Sequence, residues 1–160
     1  MSDFIRLATP SDADTLARMR YAFRVSTAAT NELESVFVER CTKWMRVALA
    51  PGGSWVAWVA ERDGEVVGNL WLQVIEKLPN PAPEPELHAY VTNVYVEPDH
   101  RGGLGALLLE TALDRCRADG VDSVILWPTD GSRTLYARYG FSVKDDLLEA
   151  VLNPARLVAH

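Results

Sequence analysis

The residues best suited to chemistry lie in one run: Asn93-Val94-Tyr95-Val96-Glu97-Pro98-Asp99-His100-Arg101-Gly102-Gly103-Leu104-Gly105-Ala106, continuing into Leu107-Leu108-Leu109. A β-branched stretch stops at a proline, glycines occupy positions 102, 103 and 105, and a leucine-rich helix begins. Glycine lets main-chain N–H groups close on a ligand with no Cβ in the way. A helix start adds its own unpaired donors and the positive end of its dipole. The segment reads as an anion cradle, and a pyrophosphate is the anion that suits it. Amides of residues 101 to 106 would converge on such a group, with the dipole adding about 0.3–1 kcal/mol. A purely structural turn is the competing reading. So is a dinucleotide-binding βαβ turn, which fits poorly, because the strands before this turn form hairpins and the acidic residue expected at the next strand is missing.

The elements that must position this run follow from periodicity and turn chemistry. A short strand over residues 4 to 8 leads to Thr9-Pro10-Ser11-Asp12, where Ser11 or Asp12 caps a helix through Leu16, Met19 and Phe23. Leu33, Val36, Phe37, Cys41, Trp44, Met45 and Ala48 recur at helical spacing and predict a second amphipathic helix, ended by Pro51-Gly52-Gly53. Strands over 54 to 60 and 66 to 76 flank an Asp63-Gly64 hairpin turn. The proline-rich stretch 78–86 is a surface loop, either a wall of a substrate site or a plain connector. The strand from His88 to Glu97 feeds the glycine turn, and the helix from Leu104 buries Leu108, Ala112 and Cys116. A strand over 122 to 127, a short helix from Ser132 to Tyr139 stopped by Gly140, and one or two strands over 141 to 151 complete the chain. The order βααβββαβαβ describes one mixed α/β domain over residues 1–160.

Composition narrows the field. With 160 residues, 48% of them hydrophobic and five tryptophans, the chain fills one core. A net charge of −6 argues against nucleic-acid binding and would tolerate a cationic substrate. The two cysteines, Cys41 and Cys116, fall at apolar helical positions and read as free buried thiols, with no His or Cys at zinc-ligand spacing. No signal-peptide pattern opens the chain and no apolar run reaches membrane-spanning length, so a soluble, cytoplasmic protein with no membrane partner is expected.

Three local signatures in register resemble the GNAT superfamily of acyl-CoA-dependent N-acyltransferases. They are the strand-glycine-helix run, the Asp63-Gly64 hairpin followed by Val67-Gly68-Asn69, and the late Leu135-Tyr136-Ala137-Arg138-Tyr139-Gly140-Phe141. The glycine turn departs from the family pattern of Arg or Gln, two residues, Gly, one residue, then Gly or Ala. Gly103-Leu104-Gly105 fills the last three positions, but His100 falls where Arg or Gln belongs. Alternatively Arg101-Gly102 keeps its place and one residue is missing; the lead-in Pro98-Asp99-His100-Arg101-Gly102 favours that shortened loop. The resemblance implies an α/β GNAT fold, a single mixed, mostly antiparallel sheet flanked by helices, with splayed middle strands. It implies acetyl-CoA as co-substrate with no metal, held by Arg101, Gly102, Gly103, Leu104, Gly105 and Ala106. The pantetheine arm would pair with the main chain of Val94, Tyr95 and Val96. It further implies direct transfer to a small-molecule or peptide amine in a ternary complex, and a homodimer as a common state. A non-catalytic acyl-CoA-binding module or sensor is the alternative.

Acyl transfer to an amine needs a neutral nucleophile, stabilisation of the oxyanion and a proton for the leaving thiolate. Tyr136, where the family carries its tyrosine acid, is the expected proton donor to the coenzyme's sulfur; an aromatic core anchor is its bland role. Glu86, His88, Thr92, Asn93, Tyr95 and Glu97 are candidate bases, with an ordered water chain as the other route. For the acceptor pocket the early helices (11 to 50), Trp44, Trp55, Trp58, Trp71, Glu84 and Glu86 are candidates, against core packing for the tryptophans and a solvated loop for the acids.

Overall fold

The computed structural model describes residues 2–28 and 30–153. Asp63 and Gly64 both take positive φ, 52° and 86°, the turn geometry whose twist matches its flanking strands. They join β2 (Trp55–Arg62) to β3 (Glu65–Glu76), with Arg62 opposite Glu65. β1 (Asp3–Leu7) pairs antiparallel with β2, and β4 (Leu87–Val96) antiparallel with β3. β5 (Ser123–Ile125) pairs parallel with β4, giving the spatial order β1-β2-β3-β4-β5. A parallel neighbour needs a crossover, and α3 (Leu104–Ala118) supplies it.

α1 (Ala13–Thr27) and α2 (Glu34–Ala48) cover one face. Ala13, Leu16, Ala17 and Met19 of α1 and Val38 and Met45 of α2 form a core with Ala57, Val59 and Trp71 of the sheet. Strand alternation points Trp58, Ala60, Leu70 and Leu72, all buried, to the other side. There α3 lays down Leu104, Leu108, Leu109, Ala112 and Cys116. Each leucine so buried contributes roughly 1.5–3 kcal/mol.

The entry to α1 is fixed by one carboxylate. Asp12 follows a 3-10 turn at Pro10 and accepts the Thr9 N–H at 2.7 Å. It also accepts Arg6 Nη1 and Nη2, each at 2.9 Å. Arg6 spends its Nε on Glu61 at 2.7 Å, so β1, β2 and α1 share one guanidinium. The Arg6 hydrogen bonds hold the Asp12 carboxyl below its ordinary value.

Three expectations are corrected. The buried stripe of α2 is Val38, Thr42 and Met45, while Leu33, Val36 and Trp44 are exposed. Phe37, Cys41, Met45 and Ala48 of the expected stripe do pack on the core, and the buried polar Thr42 belongs to it as well. The strand expected over 122 to 127 is trimmed to Ser123–Ile125, the residues that pair with β4. The strands expected over 141 to 151 do not form, and Leu148 stands 91% exposed. β-propensity without a pairing edge does not make a strand. The chain divides into a larger unit ending at Leu126 and a smaller one beginning at Trp127, which carries α4 (Arg133–Arg138).

Asp12→Ala removes the acceptor of the Thr9 N–H and two charge-assisted bonds, and is expected to cost about 2 kcal/mol in urea unfolding at pH 7. Because the folded carboxyl is lowered, that contribution is complete above the ordinary 3.8 and disappears as pH falls through the lowered value. Wild type and variant should therefore converge in stability in strong acid.

Candidate active site

β4 changes character along its length. It pairs with β5 only through His88, Ala89 and Tyr90. From Val91 to Val96 that edge has no ladder partner among the described residues, although β4 stays bonded to β3. β4 and the edge strand β5 are thus joined at one end, and the rest of that β4 edge is open. An open edge presents a row of main-chain donors and acceptors to any extended ligand.

A bulge sits in the open part. Asn69 faces Tyr95 and Trp71 faces Thr92, so Asn93 and Val94 together oppose the single Leu70. Asn93 takes φ 54°, a left-handed conformation that asparagine tolerates. The extra residue switches the alternation: Thr92 and Tyr95 both lie on the α1–α2 face, opposite Trp71 and Asn69. Gly68 makes the close approach possible, since a Cβ there would stand 3.0 Å from Tyr95 O and from Val96 Cγ2.

A polar chain forms at the bulge. Asn93 Nδ2 donates to Asn69 Oδ1 at 2.9 Å, and Asn69, fully buried, donates to Met19 Sδ at 3.6 Å. Arg20 Nη1 donates to Asn93 Oδ1 at 3.2 Å. Phe23 packs on Tyr95 with ring centroids 5.4 Å apart, and burial pushes the Tyr95 phenol up.

Beyond Val96, a 3-10 turn (Pro98–His100) and extended Arg101 lead to Gly102 and Gly103, at φ 132° and 103°. Arg101 Nε turns back to Val96 O at 3.5 Å. The first amide of α3 with a helical acceptor is Leu107, bonded to Gly103 O at 3.0 Å. Those of Leu104, Gly105 and Ala106 precede it and have no acceptor within the helix. A Cβ at Gly102, Gly103 or Gly105 would meet nothing within 4 Å. Leu104, only 2% exposed, anchors the turn in the core. An open bend with free amides, pinned by one buried leucine, fits a phosphate-bearing ligand.

Tyr136 belongs to the smaller unit. Gly140 N–H bonds Ala137 O and Phe141 N–H bonds Tyr136 O, both at 3.1 Å, with Gly140 at φ 88°. This is a Schellman cap with its apolar contact, the Phe141 and Tyr136 rings being 5.6 Å apart. Tyr136 is buried, and burial alone raises its phenol. Its hydroxyl has no hydrogen-bond partner among the described residues, yet it is not among the fully occluded orphan atoms.

The other candidates scatter. His88 Nδ1 bonds Ser123 Oγ at 2.7 Å, Glu86 accepts Asn80 N–H at 3.0 Å, and Glu97 lies 4.0 Å from His100 Nε2. Glu84 pairs with Lys77, which also binds Asp122, and Pro85 packs on Gly120, so the proline loop is clasped to the α3–β5 turn. That loop precedes β4 and the glycine turn follows it, about 30 Å apart along the strand. Trp58 and Trp71 are core, while Trp44 stacks on Trp55 and Trp71 with half its surface exposed. Sequence reasoning missed Arg20; the signal was a charged residue between Met19 and Phe23, on the border of the apolar stripe. Gly140→Ala should lower the melting temperature, because a Cβ at φ 88° costs about 1 kcal/mol; thermal denaturation reads it.

Comparison with known proteins agrees with this geometry. The chain is 39% identical to the mycothiol acetyltransferase of Sanguibacter keddieii over 84 residues, 50% of this chain and 24% of that protein. It therefore spans well under half the length of that curated relative. Its fold is similar to that of a GCN5-related N-acetyltransferase from Ralstonia eutropha, with TM-score 0.78 and 27% identity over 95% of this chain and 100% of the other. A predicted acetyltransferase from Clostridium acetobutylicum solved with acetyl-CoA gives TM-score 0.78 at 22% identity, covering 94% of this chain and 97% of the other. A sequence model of the acetyltransferase (GNAT) family matches residues 20–141. The chain belongs to the acetyltransferase (GNAT) family.

Proposed function

We propose that the protein is an N-acetyltransferase that moves an acetyl group from acetyl-CoA directly to an amine in a ternary complex. The observation that carries this reading is the open β4 edge running straight into a glycine turn with unpaired amides. When bound, the thioester supplies an activated acetyl group. The amides of residues 101 to 106 hold the pyrophosphate, and the main chain of Val94, Tyr95 and Val96 receives the pantetheine arm. A β4 amide at the bulge stabilises negative charge developing on the carbonyl oxygen. Tyr136 donates a proton to the departing sulfur, whose conjugate thiol has a pKa near 8.5; its raised phenol keeps that proton available at neutral pH.

His88, Glu86 and Glu97 are each drawn to other partners, which supports deprotonation of the amine through water. Burial raises both the Cys41 and Cys116 thiols, which disfavours a covalent acyl-enzyme and supports direct transfer. Their free state fits a cytoplasmic setting, and no helix among the described residues is long and apolar enough to cross a membrane. The family match runs through both units, which supports treating 1–160 as one domain.

Coenzyme A at a hundred times its Kd should stabilise the protein by about 2.7 kcal/mol, read as a rise in melting temperature. Gly105→Asp sets a carboxylate among the free amides and should abolish that rise. Thiol release from acetyl-CoA with a panel of amines tests turnover, and Tyr136→Phe should lower kcat about 100-fold while coenzyme A still stabilises the fold. A thermal shift without thiol release from any amine would leave a binding module instead. No shift at all would remove the coenzyme reading.

A further inference from the structure

Arg20 is a part-buried cation with no acid paired to it among the described residues. Among the described residues it makes no salt bridge, and its hydrogen bond to Asn93 Oδ1, at 3.2 Å, uses one of five guanidinium donors. The Phe23 ring lies 6.0 Å from the guanidinium carbon, and Cys41 and Tyr90 are near enough to favour its charge. Arg24 lies close enough to repel it. Glu32, the acid of the α1–α2 connection, is taken by Arg40 at 2.7 and 2.6 Å. The arginines of the larger unit that make ion pairs each have an acid: Arg6, Arg18, Arg40, Arg62, Arg115 and Arg117. A part-buried charge without a counter-ion gains from a ligand that supplies one.

Its position says what that would be. Asn93 is the bulge residue, held left-handed in the open part of β4, so Arg20 reaches within one side-chain length of the main chain where the open β4 edge begins. It does so from the α1–α2 face, which also carries Thr92 and Tyr95. We propose that Arg20 binds an oxyanion carried by the acceptor itself, a carboxylate or phosphate a few bonds from the amine that is acetylated. This rests on the transferase reading above and names the substrate class of that site. A guanidinium offers paired donors that match either anion. The acceptor is thus an amino acid, a peptide-like acid or an amino-phosphate, despite the acidic balance of the whole chain. The acids of the proline loop, which suggested a cationic acceptor, are occupied by Lys77 and Asn80.

The test is thiol release from acetyl-CoA with matched acceptors: free L-α-amino acids against their carboxamides, and phosphoethanolamine against ethanolamine. At least one charged member should exceed its neutral partner tenfold or more in kcat/KM, and the pair that shows it identifies carboxylate or phosphate. Arg20→Gln should bring that ratio toward one, and Arg20→Lys should restore part of it. The melting temperature of Arg20→Gln should equal or exceed wild type, because a residue kept only for packing would lower it. Coenzyme A should still raise that temperature, which reports a folded variant. Equal rates on acids and amides, or a ratio unchanged in Arg20→Gln, would overturn the inference and leave the transferase reading standing. No thiol release from any acceptor would remove both.

Discussion

The site depends on β4 having its hydrogen bonds satisfied on both edges at its start and on one edge at its end. Main-chain N–H and C=O groups must find partners, and a buried strand edge without them is unfavourable. β5 stops after three residues and leaves the β4 edge open from Val91 onward. The bulge at Asn93 increases the local twist and is accommodated by Gly68 on β3. An extended ligand arm with its own amides can supply the missing ladder, and the anion cradle lies where that strand runs out. In the proposed binding mode the arm lies along β4 and the phosphates at the turn.

A second constraint is polar and lies inside the domain. Asn69 is fully buried in an otherwise apolar layer, and its amide is engaged on both sides, by Met19 Sδ and by Asn93. Asn93 in turn uses both ends of its side chain, which fixes the rotamer of a residue already held at positive φ. A side chain determined in this way keeps the bulge at one residue rather than letting it slide along β4. The late signature works similarly at a smaller scale. Gly140 and Phe141 do no chemistry; they close α4 with a Schellman cap and set the Tyr136 ring against Phe141.

The local elements were legible because their signals are local. Asp63-Gly64 predicts its turn, Pro51-Gly52-Gly53 ends α2, and the run from Asn93 to Ala106 reads as strand, bend and helix from residue types alone. The sheet that the family resemblance implies is there, but several inferences that needed a distant partner failed. Val143, Leu147 and Val151 look like strand residues, yet they join no ladder among the described residues. The face of α2 was misjudged in part, because Thr42, a polar residue, fills a core position. Glu84 and Glu86 were candidate substrate contacts, and each has a partner within or beside its own loop.

By itself the sequence determined the element types, the glycine bend with its free amides, and the tyrosine set four residues before its capping glycine. These follow from φ preferences, periodicity and capping, which act over a few residues. The tertiary structure alone decided that β5 ends early, that the extra residue of β4 falls at Asn93, and that Arg20 meets Asn93 with no acid paired to it among the described residues. Each of those is a matter of which groups meet across the sheet. Pairing between residues separated by tens of positions is governed by packing and hydrogen-bond satisfaction in three dimensions, and no short stretch of chain encodes it.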